Sequence, residues 1–277
     1  MSVLAFASIR SCGVTTAAMA LAATWPSGRR VLLAELDSAG GTLAAASGWP
    51  PEPSLVSLAA AARRGGDPDL IWQHCQSLPG GAPVLAGPTS ADQARSAMGM
   101  LAGLVSRLNE LDADVLVDCG RLEPGSPGRG LLVGADRAVL VARPHLADLH
   151  ALATWAEAHP LDGGSLGLVL VGEGPYPDNE VEDALGIEVL ERLPWDSDGA
   201  AALVSVPASA RELRVSPLVR AARSLADRLG NDYLAVAPGN QVEVSASTGF
   251  LRTRVRAWRT APATPSTNGS TPEEVIQ

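Results

Sequence analysis

The chain has 277 residues, enough for one large α/β domain or two small ones. Hydrophobic residues make up 46% and aromatic residues only 4%, so a core must be built from Leu, Val and Ala, while a formal net charge of −9 argues against DNA as a partner. Three widely spaced cysteines, with no CxxC pair and no zinc spacing, argue against a disulfide framework or a structural metal and point to a reducing, cytoplasmic setting.

In chain order, residues 3–7 form a continuous apolar run and read as a strand. A turn over residues 8–16 leads into an Ala-rich helix over 15–25. A buried strand over 31–36 ends at Asp37 and a run of small residues. Helices over 54–64 and 69–77 precede a short strand over 83–86. A long helix over 90–111 leads to a strand over 115–117 that ends at Asp118. Then come a strand over 137–142, a helix over 146–159, a strand over 167–171, a helix over 179–185 and a weaker strand over 188–193. Helices over 200–203 and 217–229 close the periodic part of the chain.

Most of these strands are continuously apolar, the signature of strands covered on both faces. The β-α alternation predicts an α/β fold with a doubly wound, mostly parallel sheet in a single domain over residues 1–234. Residues 235–277 are dominated by Pro, Ser, Thr, Asn and Gly and read as a disordered tail. The apolar stretches near the amino terminus lack a basic leading segment and are interrupted by Arg10, so a signal peptide is not expected. No apolar run reaches the roughly eighteen residues that a spanning helix needs.

Three strand tips carry the candidate chemistry. The first is the turn Ser8-Ile9-Arg10-Ser11-Cys12-Gly13-Val14-Thr15-Thr16. A strand that turns through glycine into a helix aims several backbone N–H groups at one point, where the helix dipole also favours an anion. Gly13 permits close approach, and Thr15 or Thr16 can offer a hydroxyl to Mg²⁺. The same residues also fit an ordinary turn with a threonine helix cap. A phosphate loop normally sets a lysine just before its Ser/Thr. Here that place is Val14, and all 21 basic residues of the chain are arginine. The second tip is Asp37, placed to orient a water or a metal-bound water, or to form a turn. The third is Asp118, which follows Val115-Leu116-Val117 as a Walker B carboxylate would, in contact with the Mg²⁺ shell.

In this order and spacing, the three tips resemble the MinD/ParA family of deviant Walker ATPases, of the SIMIBI class. In that family the loop reads lysine, glycine, glycine, any residue, glycine, lysine and two Thr/Ser. Gly13, Thr15 and Thr16 match it. Val14 stands at the general lysine, Ile9 at the signature lysine, and Arg10 and Ser11 at the first two glycines. The resemblance implies that residues Arg10, Ser11, Cys12, Gly13, Val14, Thr15 and Thr16 surround ATP, and that Asp37 and Asp118 are catalytic. It further implies that Thr15 and Asp118 hold Mg²⁺, the carboxylate through water. Residues 134–144, 190–196 and 216–229 look like later family segments. The resemblance covers residues 1–230 and looks closest to a lysine-poor actinobacterial branch and to CpaE/TadZ-like members. It implies a homodimer with protein partners in chromosome partitioning, cell positioning or pilus and secretion assembly.

The loss of both lysines removes two cations from the phosphates, where a positioned cation is worth several kcal/mol in a phosphoryl-transfer transition state. Weak nucleotide binding and very slow or absent hydrolysis are therefore expected. Arg10 is the nearest substitute cation, or else a solvated residue in a surface ion pair. A slow working ATPase and a non-catalytic scaffold with a vestigial pocket are the alternatives. Cys12 and Cys119, both after strand ends, are expected either to approach one another or to be buried separately. In the tail, residues 248–259 set Leu251, Val255 and Trp258 against Arg252, Arg254, Arg256 and Arg259 on a helical wheel. That pattern fits a membrane-surface segment, an arm for an acidic partner, or a solvated tail.

Overall fold

Strands flanked on both sides by apolar helices need a sheet with two covered faces, and the computed structural model has that form. It describes residues 1–63, 69–100, 104–161, 165–205 and 210–235. In chain order these give β1 (Val3–Ser8), α1 (Val14–Thr24), β2 (Val31–Glu35), α2 (Leu43–Ala46), α3 (Leu55–Ala62) and α4 (Leu70–Gln73). Next come β3 (Gln76–Ser77), β4 (Pro83–Leu85), α5 (Ala91–Met100), α6 (Leu104–Asn109), β5 (Asp114–Arg121) and α7 (Gly128–Gly134). The series ends with β6 (Arg137–Ala142), α8 (Leu146–Ala158), β7 (Ser165–Val171), α9 (Asp178–Leu185), β8 (Glu188–Leu193), α10 (Ser197–Val204), α11 (Ala210–Val215) and α12 (Pro217–Ala235).

The strands form one eight-stranded sheet in the order β3-β4-β2-β5-β1-β6-β7-β8. Every pairing is parallel except β3 with β4. The fold is a single α/β domain, as the β-α alternation predicts. Side-chain alternation splits the core in two. Val3, Ala5 and Ala7 of β1 face one layer, with Leu55, Leu108, Leu149 and Val181. Leu4 and Phe6 face the other, with α1 and the Ala222, Leu225 and Leu229 stripe of α12. Alanine-rich α1 brings its backbone close to the sheet, and small side chains suit that approach.

All seven expected strands are present with shifts of a few residues. The two-residue edge strand β3 falls inside the helix expected over 69–77, where only Leu70–Gln73 is helical. The helix expected over 90–111 is seen as α5 and α6, with 101–103 outside the described residues. Short helices α2, α7 and α11 have no counterpart in the sequence reading, because four to seven residues hold too little period to detect. The tail, including 248–259, lies outside the described residues.

A buried carboxylate ties the amino-terminal edge of the sheet together. Asp114 Oδ1 accepts from the Ser2 amide at 3.1 Å and from Arg29 Nη2 at 2.6 Å. Its Oδ2 accepts from Trp25 Nε1 at 2.9 Å and from Arg29 Nε. Arg29 also donates to the Gly230 carbonyl at 2.7 Å, which brings in α12. Removing one partner of such a buried pair strands the other charge, at a cost of about 3–5 kcal/mol. Asp114→Ala is therefore expected to lower unfolding free energy by about that amount in urea denaturation, whereas Asp92→Ala, whose partner Arg95 is also exposed, should change little.

Candidate active site

β1 lies between β5 and β6, so its carboxyl end opens where strand connections diverge, the usual ligand crevice of an open α/β sheet. The loop from Ile9 to Gly13 leaves β1 there. Gly13 has φ +97°, a left-handed conformation that lets the chain turn abruptly into α1. Helix α1 starts at Val14 with Gly13 as its cap residue. Thr15 and Thr16 are thus in its first turn and half-buried; neither is the cap that the alternative reading offered.

The register between strands places the acidic tips together. Phe6 pairs with Asp118, and Glu35 pairs with the same Asp118 on the opposite side. Asp37 follows two residues after Glu35. The Leu36 amide donates to the Asp118 carbonyl at 2.7 Å, which fixes the end of β2 against β5. Gly120, at φ +60°, lies so close to Asp37 that a Cβ there would overlap the carboxylate. Gly13, Asp37 and Asp118, inferred separately from sequence, therefore come to one end of the sheet.

Their environments differ. Asp118 is fully buried, its Oδ1 accepting from the Gly120 amide at 2.8 Å. Desolvation by burial pushes the carboxyl up to about 7, outweighing the Thr15 hydroxyl and the Gly120 amide that favour its charged form, and Glu35 and Asp37 add like charge. Oδ2 of Asp118 has no partner at hydrogen-bond geometry among the described residues. Asp37 is half-buried, and desolvation raises it despite the 2.7 Å hydrogen bond from the Ala39 amide and the nearby Arg121.

Glu35 is the residue that sequence reasoning passed over. It is buried, with Oε1 accepting from the Thr42 and Leu43 amides at 2.6 and 3.0 Å and Oε2 accepting from Gly87 at 2.9 Å. It straps the loop after β2 and the loop after β4 to the sheet. Its signal was available: one charge inside the apolar run Val31-Leu32-Leu33-Ala34-Glu35-Leu36, in step with Asp37.

The loop is poor in cations. Val14 is buried at 4% exposure. Arg10, the only charge on the loop, faces Asp148 at 3.6 Å. Ser11 is exposed, while the buried Cys12 thiol donates to the Val141 carbonyl at 3.0 Å. Burial pushes that thiol up to about 11, so it is not a reactive thiolate. Cys12 packs in the α1 layer and Cys119 in the opposite layer. The suggested approach of the two cysteines is therefore corrected: the sheet separates them, because Cys119 alternates to the other face from Asp118.

Fit to the cofactors of such a site can be judged on these atoms. A buried carboxylate oxygen with no hydrogen bond of normal geometry, beside the Thr15 hydroxyl, is an oxygen donor set that suits Mg²⁺. The backbone turn and the start of α1 suit a phosphate, but no side-chain cation of the loop points there unopposed. No described helix is long and apolar enough to cross a membrane.

No protein-family profile and no curated protein matches the chain. Solved structures do. A ParA-family ATPase from Chlorobium tepidum superposes with a TM-score of 0.65 at 17% identity, over 82% of this chain and 98% of that one. The cell division ATPase MinD of Pyrococcus furiosus gives 0.64 at 19% identity, over 83% and 98%. The septum site-determining protein MinD of Pyrococcus horikoshii, solved with Mg-ADP, gives 0.61 at 16% identity, over 86% and 99%. The chain thus has the MinD/ParA-type P-loop ATPase fold.

A raised carboxyl has a defined pH signature. Between the ordinary carboxyl range near pH 4 and about 7, folded Asp118 holds a proton that the unfolded chain releases, so stability falls as pH rises through that window. Without Mg²⁺ or nucleotide, Asp118→Asn is expected to melt higher than the parent at pH 8, with the advantage shrinking steadily as pH falls from 7 toward 4. Thermal melts across that range check it; an advantage independent of pH would contradict the buried-charge account.

Proposed function

We propose that this chain is a MinD/ParA-like nucleotide-binding protein whose phosphate loop has lost both cations. It acts as a positioning or regulatory factor, in partitioning or in pilus and secretion assembly, through dimerisation and partner contacts. The observation that supports this most is the juxtaposition of the Gly13 turn, Thr15 and the partnerless Asp118 oxygen at the open end of β1. Backbone amides of residues 10–16 would hold the phosphates, with weak affinity. Thr15 and Asp118 would hold Mg²⁺, which when bound supplies the positive charge that the loop lacks. Asp37 would orient a water at the rim. A slow working ATPase is the second reading, favoured by that same Asp118 oxygen.

Calorimetric titration with ATP and Mg²⁺ tests this. A Kd well above about 1 μM is expected, lost in Asp118→Ala, with no turnover above background. Submicromolar binding that Asp118→Ala abolishes would contradict the weak site. Returning a cation with Val14→Lys is expected to tighten ATP by about tenfold or more, provided its melting point shows that the variant is folded.

Residues 248–259 are proposed as a peripheral contact, with an anionic membrane surface as the occupant tested first. Full-length protein is expected to co-sediment with anionic liposomes, and a chain ending at residue 245 to remain in the supernatant. Equal behaviour of the two chains removes the membrane role.

A further inference from the structure

The loop is held against its neighbours on one side. Arg10 Nε lies 3.6 Å from Asp148 Oδ1, with side-chain exposures of 59% and 18%. Two residues on, Cys12 donates its thiol to the Val141 carbonyl at 3.0 Å. Ile9, Ala142 and Leu152 line the shallow crevice beside these contacts. Asp148 sits in the first turn of α8, where the helix dipole favours its charge. Its place is thus fixed by α8, and the longer, more exposed Arg10 is the partner free to move.

We infer that Asp148 is an internal competitor for Arg10: it holds the loop's one cation away from an anion seated on the Gly13 turn, and so sets the affinity of that site. The inference rests on the nucleotide-site reading above. A carboxylate and a phosphate are alternative acceptors for one guanidinium, and Arg favours bidentate contact with either. The closest approach in the Asp148 pairing is 3.6 Å, ion-pair rather than hydrogen-bond distance, and Arg10 is mostly exposed, so the contact is weak enough to be exchanged. An incoming phosphate would draw Arg10 over with little rearrangement of the backbone. The specificity consequence is that ligands with more phosphate charge displace Asp148 better than those with less.

The test is calorimetry on the full chain with ATP and Mg²⁺, and separately with inorganic pyrophosphate. Asp148→Asn keeps the shape and removes the charge. It is expected to tighten both ligands two- to fivefold, the range that an exposed ion pair supports. In an Arg10→Gln background the same substitution is expected to have no effect, because the competitor then has nothing to hold. A gain that persists without Arg10 reports only general repulsion and overturns the inference, as does binding that Asp148→Asn leaves unchanged. Absence of binding in every variant overturns the nucleotide-site reading and this competitor role together, which separates the two failures. Melting curves establish that each variant is folded.

Discussion

Two carboxylates on adjacent strands, Glu35 and Asp118, stand side by side beneath a loop that has no lysine. Parallel pairing of β2 with β5 forces this, since the register sets the two residues opposite each other on one face. Three backbone amides satisfy Glu35, and it becomes structural. Asp118 receives one firm amide and keeps an unmatched oxygen. Burying that oxygen without a partner costs free energy. That cost, borne at the carboxyl end of the sheet, is the observation from which the proposed metal-holding role of Asp118 starts.

The rest of the site follows from what the loop does not supply. Amides at a helix start attract an anion, but buried acids repel it, and range decides between them. Val14 fills the lysine place with a methyl pair inside the α1 layer. Arg10 points aside to Asp148. Coulomb energy in a partly buried site is several kcal/mol per close charge pair, and the proposed weak affinity follows from setting two absent cations against a few hydrogen bonds from backbone amides. On the proposed reading, a metal ion held by Thr15 and Asp118 would restore part of that balance.

Much of this was legible in the sequence. The continuous apolar runs fixed the strands, because a strand buried on both faces has few ways to be written. The strand-end placement of Asp37 and Asp118 was legible because each follows such a run, and the turn at Gly13 because glycine permits close backbone approach; its left-handed conformation is seen only in the structure. Glu35 was harder to see, since its partners Thr42, Leu43 and Gly87 come from two loops distant in sequence. Asp148 could not be read at all: its role comes from the seating of α8 beside β6, which periodicity does not specify. Nor could the sheet face that divides Cys12 from Cys119 be read, as parity is known only once the strand limits are.

On the proposed reading, a single weak anion site lies over Gly13, Thr15 and Asp118. An amide ¹H–¹⁵N spectrum of the full chain, titrated with ATP and Mg²⁺, addresses it directly. Progressive shifts centred on residues 9–16, with smaller ones at Ala39 and Gly120, are the predicted result. Shifts centred elsewhere on the molecule, or an unchanged spectrum at millimolar nucleotide, would contradict it.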